Sequence, residues 1–253
     1  MLRLLSVLCL SALQAVCLPV PAKADDALVA VASNFSTPAT ALAEAFTAAT
    51  GHTVTLTPGS TGRLHAQITQ GAPFDVFLSA DAVRPAELER DGLAIAGTRR
   101  TYAVGQLVLW AHAAGPMPPL ERLETGRFRR LAVANPDLAP YGSAAMQVLE
   151  HLAVPDTVSD RLVMGENIAQ TFAFVVTGNA DLGFVALSQV ESPSFGRAGQ
   201  FQRIPADWHD PIRQDAVLLR HGADNPAARA WLDFLQTEEA ATILSRFGYE
   251  AVR

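Results

Sequence analysis

Residues Gly59 to Asp81 read GSTGRLHAQITQGAPFDVFLSAD. The stretch opens on a turn of small residues, Gly59-Ser60-Thr61-Gly62. A helical pattern follows from about Arg63 to Gln70 and stops at Gly71, and a buried strand runs from Phe74 to Ser79. A Ser/Thr/Gly turn feeding a helix leaves backbone N–H groups unpaired and aimed one way. With the helix dipole and the hydroxyls, such a turn suits an anion. A second turn of this kind, Ala32-Ser33-Asn34, follows the first strand, Leu28 to Ala32. Two hydroxyl turns so close together predict a neutral cradle for an oxyanion.

The same alternation continues outward. Thr37-Pro38 starts a helix that Gly51 ends, Thr53 to Thr57 reads as a strand, and Ala82 to Asp91 as a helix. Tyr102 to Ala111 reads as one long apolar strand. A second set follows: strand Leu131 to Ala134, a loop to Tyr141-Gly142, helix Ser143 to Leu152 and strand Leu162 to Met164. Asn167 caps a helix to Thr177, and strand Leu182 to Leu187 comes next. Val217 to Leu219 is a late strand, and helices at 226–236 and 238–246 close the chain. Apolar strands alternating with helices predict an α/β fold of mainly parallel sheets flanked by helices. The strand at 102–111 is the expected crossing between two domains, and the segment near 204–213 the return. The first domain is then discontinuous, 25–104 with 212–253, and the second spans 105–211. The cleft between them would collect strand-end loops from both sides.

Leu4 to Val20 is almost wholly apolar after Arg3, and Ala22-Lys23-Ala24 matches a small-residue cleavage site. Residues 1–24 therefore read as a signal peptide, with Asp25 first in the exported, periplasmic protein. Cys9 and Cys17 both lie in this segment, so the remainder has no thiol for a disulfide or a thiolate metal site. Gln14-Ala15-Val16 is a poor context for lipid anchoring at Cys17. Beyond the segment, 17 arginines face 25 acidic residues, a net charge of −8. That balance argues against nucleic acid. It also means that an anion must be captured by oriented short-range dipoles and not by net charge.

The stretches Val31 to Phe35, Gly59 to Ile68, Gly71 to Asp81 and the ending RFGYE from Arg246 resemble the periplasmic molybdate-binding proteins of ABC importers. The resemblance extends over essentially the whole exported chain. It implies the type II two-domain, hinged solute-binding fold. It also implies capture of molybdate, with tungstate, for delivery to a membrane permease by a monomer without cofactor or catalysis. The oxyanion is then held by hydroxyls and backbone N–H groups. By the same resemblance these fall on Ser33 and Asn34 at the first turn, Ser60 and Thr61 at the second, and Tyr141 and Ile168 at two further helix starts. Many members carry a ligand-reaching tyrosine after the strand that here ends near Val185. This chain has Ala186 instead, which makes the Tyr141 hydroxyl a candidate substitute.

Other readings compete. Glu166 is a carboxylate close to these loops, of the kind a protonated phosphate would require, but it also suits a helix start as a solvated acid. Asp207-Trp208-His209-Asp210 has metal-ligand residue types but no ligand spacing, and reads as a surface loop. A receptor for sulfate or phosphate is the nearest alternative. An iron receptor would cluster tyrosines and acids, whereas Tyr102, Tyr141 and Tyr249 are dispersed in sequence. An exported hydrolase would need a nucleophile with its base, and no G-x-S-x-G elbow is present.

Overall fold

The structure, a computed structural model, describes residues 24–154, 156–195 and 199–249. The signal-peptide reading therefore falls almost wholly outside the described residues, as does Glu250 of the RFGYE ending. The first lobe is built on β1 (Asp26–Ala32), β2 (Thr53–Gly59), β3 (Val76–Leu78) and β4 (Arg100–Gly105). Helices α1 (Ser36–Thr50), α2 (Thr61–Thr69) and α3 (Val83–Arg90) connect them. The second lobe holds β5 (Leu107–Ala111), α4 (Pro119–Glu124), β6 (Leu131–Ala134), α5 (Pro140–His151) and β7 (Leu162–Gly165). It continues through α6 (Ile168–Val176), β8 (Leu182–Ala186), α7 (Leu187–Val190) and β9 (Gln200–Arg203). The chain then returns to the first lobe as β10 (Ile212–Leu218), α8 (Pro226–Phe234) and α9 (Glu238–Ser245).

The two sheets share one plan. Strand order is β2-β1-β3-β10-β4 in one and β7-β6-β8-β5-β9 in the other. The first three strands of each are parallel, and the fourth, β10 or β5, runs antiparallel to both its neighbours. These antiparallel strands are the two that follow a crossing between lobes.

Period-two burial fixes both faces of each sheet. Ala27, Val29, Val31, Val76 and Leu78 pack under α1, α8 and α9, while Ala30, Phe77 and Val217 face α2 and α3. In the second lobe Leu107, Leu109, Leu131, Val133 and Phe184 face α5, and Val108, Trp110, Ala132 and Val185 face α6. Strands buried on both faces explain their near-continuous apolar sequence. Among the described residues no helix is long and apolar enough to cross a membrane.

Several expected boundaries move. Residues 102–111 form two strands in two different sheets, broken at Gln106, because β4 must leave the first sheet before β5 can enter the second. Tyr141 lies in the first turn of α5 and not in a loop, since Pro140 starts that helix where its missing N–H is harmless. A short 3-10 turn at Ser33–Phe35 precedes α1, so Thr37 is not its cap. The expected Asn167 cap is present: its side chain accepts from the N–H groups of Ala169 and Gln170.

Candidate functional site

The carboxyl ends of β1, β2 and β3 point toward the second lobe, and the starts of α5 and α6 face them. A small cavity of about 10 Å³, room for about one water as the lobes stand, lies between. Ser33, Asn34, Ser60 and Thr61 line it from the first lobe, Tyr141 and Ile168 from the second. The fold thus brings all six residues singled out in the sequence to one place. Each is buried, with 2% to 8% of its surface exposed. The remaining lining is Ala32, Gly59, Ala80, Ala139 and Pro140, with no carboxylate among the residues around it.

The donors are arranged by helix starts. Thr61, Tyr141 and Ile168 sit in the first turns of α2, α5 and α6, where N–H groups have no intrahelical acceptor. Among the described residues none of these three N–H groups donates a hydrogen bond within the protein. The Ser60 hydroxyl is fully buried and has no partner among the described residues. It precedes α2 but does not cap it through its side chain. The Thr61 hydroxyl oxygen accepts from Ala80 N at 3.1 Å, which fixes the side chain and leaves its own proton to donate. Unsatisfied buried donors are rare in folded proteins and call for a partner. A tetrahedral oxyanion, which is all acceptor, is such a partner.

Two of the six also belong to a buried polar cluster at the crossing between lobes. The Asn34 amide donates to Gln214 Oε1 at 2.8 Å and to the Tyr249 hydroxyl at 3.2 Å, which uses both its hydrogens. The Ser188 hydroxyl donates to the Asn34 carbonyl at 3.0 Å, and the Tyr249 hydroxyl donates to Ser188 Oγ at 3.2 Å. Tyr102 donates to the Ser79 carbonyl at 3.0 Å and approaches Gln214 Oε1 at 3.3 Å. The Tyr141 hydroxyl faces the Tyr249 hydroxyl and the Asn34 amide without a hydrogen bond of good geometry among the described residues, and lies against Gly105, which does not line the cavity.

The three tyrosines, dispersed in sequence, are therefore gathered by the fold at the hinge. Burial holds the Tyr102 and Tyr141 phenols well above their usual pKa and raises that of Tyr249. Gln214, Ser188, Tyr249 and Gly105 were not singled out as site residues. The one available signal was Gly105, a glycine inside a strand pattern, which marks close backbone approach.

The competing features settle as structure. Glu166 does not line the cavity; it pairs with Arg63 of α2 across the lobes, both side chains being exposed. His209 bonds the Asp210 carbonyl at 2.7 Å and Trp208 stacks on His151, so the Asp207–Asp210 loop anchors the return crossing on α5. Asp210 is further tied to Gln147 in both directions. Among the described residues no cluster of three metal-ligating acids, histidines or cysteines exists.

Two lobes of equal plan, joined by two crossing segments and closing on a buried cavity of neutral donors, define a hinged solute-binding protein. The chain belongs to the bacterial extracellular solute-binding protein family, whose model matches residues 27–250. It is 46% identical to the molybdate-binding protein ModA of Rhodobacter capsulatus over 92% of this chain and 91% of that protein. It is likewise 46% identical to the ModA of Azotobacter vinelandii over 90% of this chain and 91% of the relative. Among solved structures, the Azotobacter vinelandii periplasmic molybdate-binding protein superposes with a TM-score of 0.85 at 36% identity. That match covers 90% of this chain and all of the other.

Proposed function

We propose that this chain is the periplasmic receptor of an ABC importer, capturing molybdate, and with it tungstate, between its lobes. The observation that carries the reading is the cavity itself: buried, free of carboxylates, and lined by donors that lack protein acceptors. The 46% identity to two proteins named as molybdate-binding supports the choice of anion.

The assigned contacts are the Ser33, Ser60 and Thr61 hydroxyls and the backbone N–H groups of Asn34, Thr61, Tyr141 and Ile168. Asn34 acts through its backbone because its amide is already committed to Gln214 and Tyr249. Tyr141 likewise acts through its N–H, with its hydroxyl at the hinge. Hydrogen bonds to a charged group contribute roughly 1.5–3 kcal/mol each. The seven assigned here, roughly 10–21 kcal/mol together, exceed the ~8 kcal/mol of a micromolar complex, and the surplus offsets desolvation of the dianion and closure of the lobes. The protein binds and releases its anion unchanged, as a monomer and without cofactor, and hands it to a membrane permease. Residues 1–24 direct export. The lobes divide as 25–104 with 212–253, and 105–211.

The test is a thermal melt of ligand-stripped protein with molybdate, tungstate, sulfate and phosphate in turn. A ligand at about 100 times its dissociation constant adds roughly 2.7 kcal/mol, a shift of several degrees. Shifts with molybdate and tungstate alone are expected. A shift with sulfate or phosphate instead would retain the fold and replace the substrate.

A further inference from the structure

We infer that the first turn of α2 is both a wall of the cavity and the latch between the lobes, with Gly62 as its positioning residue. The inference rests on the capture role just proposed, and burial of the assigned contacts makes a latch necessary: the six residues that would hold the anion are at most 8% exposed, and the cavity between them is about 10 Å³, so an anion enters only when the lobes part.

Successive residues of this turn face different partners. Ser60 and Thr61 line the cavity. The Gly62 N–H donates to the Leu138 carbonyl of the second lobe at 2.9 Å. Arg63 pairs with Glu166. Beside the turn, Arg84 of α3 is held by Asp81 and donates to the Asp137 carbonyl at 2.9 Å. Two donors of the first lobe thus grip consecutive carbonyls of the second, immediately before Ala139, Pro140 and Tyr141 line the cavity. Anion capture at 60–61 and lobe contact at 62–63 occupy one rigid helical turn.

Gly62 is the wrong residue for a helix and the right one for this contact. A β-carbon there would lie 3.1 Å from Leu138 Cα and 3.2 Å from Leu138 Cδ2 in the second lobe, so the closed lobes would have to separate by a few tenths of an ångström; Arg84 Nη2, also 3.2 Å away, is the end of a flexible side chain in the same lobe. Alanine is the better helix former. Gly62→Ala therefore favours α2 in the open protein, where only the flexible Arg84 side chain must give, and strains the closed one against the Leu138 backbone, a pair of opposite signs that a purely local role of the glycine does not produce. The Arg63–Glu166 pair, with side chains 60% and 44% exposed, is screened by solvent and adds a salt-sensitive bias.

The experiment measures molybdate association and dissociation by stopped flow on the full exported chain, beside ligand-free melts. For Gly62→Ala the expected result is an unchanged or higher ligand-free melting temperature and an unchanged association rate. Dissociation should be faster by about tenfold, which lowers affinity equally. Wild-type dissociation from the variant, or a lowered ligand-free melt, would overturn the latch. Added NaCl should accelerate dissociation from the wild type, and Glu166→Gln should abolish that acceleration; an equal salt dependence would remove the ion pair from the latch. If the wild type binds another anion of the panel instead of molybdate, the same comparison is made with that anion. Failure of the molybdate reading and failure of the latch are then separate results, and a wild type that binds none of the four overturns both.

Discussion

The hydroxyl oxygen of Tyr141 lies so close over Gly105 that a β-carbon at that glycine would sit 2.3 Å from it. One residue is in the first turn of α5, the other the last of β4, where the chain leaves the first lobe. The tyrosine ring thus spans from the cavity wall to the hinge. Gly105→Ala must displace either the ring or the crossing strand, and overpacking of this kind destabilises by about 1–3 kcal/mol. Denaturant melts of the ligand-free protein check it. Tyr141→Phe removes a buried hydroxyl that makes no hydrogen bond of good geometry among the described residues, so stability should hold or rise by about 1 kcal/mol. Because the backbone N–H remains, molybdate affinity should stay within about threefold of wild type. A large loss of affinity would return the hydroxyl to the ligand.

Ser60 gives the opposite pairing of effects. Its hydroxyl is buried without a partner among the described residues, so Ser60→Ala relieves an unsatisfied group in the empty protein and deletes a donor in the loaded one. The ligand-free melt should not fall. Affinity measured by titration calorimetry should drop by about tenfold to hundredfold, the equivalent of one charged hydrogen bond. A stability loss with unchanged affinity would make Ser60 a structural residue.

Asn34→Asp tests the neutrality of the cradle. It replaces an amide whose hydrogens reach Gln214 and Tyr249 with a carboxylate beside the proposed anion site. Repulsion between like charges at such range should weaken molybdate binding by at least about hundredfold near neutral pH. Burial and the dianion both raise the new carboxyl's pKa, so affinity should recover as pH falls and the group protonates. Binding isotherms across pH would show a slope for the variant and none for the wild type.

The wild-type protein should bind with the same affinity from about pH 6 to pH 9, because among the described residues the only titratable side chain lining the cavity is Tyr141. Burial, reinforced by the neighbouring Tyr249 and Tyr102, holds that phenol well above its usual value. A folded pKa raised above the unfolded one leaves the associated stability whole below about pH 10, to be lost only as pH climbs through the folded value. Asp181 has the reverse sign. Partial burial pushes its pKa up, but the Arg129 side chain and the backbone N–H groups of Arg129 and Arg130 outweigh it and lower the net value. Its contribution is whole above about pH 4 and lost only as pH falls through the lowered value. Calorimetric affinities and melts across this range would expose any titrating group in the site.

The strand and helix alternation, the Asn167 cap and the hydroxyl turns were legible because each rests on local chemistry: period-two burial, first-turn donors, capping oxygens. The residues meeting at the cavity were legible through their turns together with the family resemblance. The hinge cluster was not. Gln214 bonds Asn34 across 180 positions and Ser188 bonds it across 154, and no local pattern announces such pairings. The break at Gln106 was hidden because β4 and β5 are both apolar enough to read as one strand; only their membership of different sheets separates them.

The placing of β10 has a consequence for how the chain matures. In the first sheet β3 and β4 do not pair with each other; β10 lies between them, and it is made more than a hundred residues after β4 begins. The second sheet draws all its strands from one continuous stretch, 107–203. The lobe that begins first is thus the last that can be completed. Until β10 is in place the first sheet carries an open gap between β3 and β4, so this late strand acts as the keystone of the lobe that begins first.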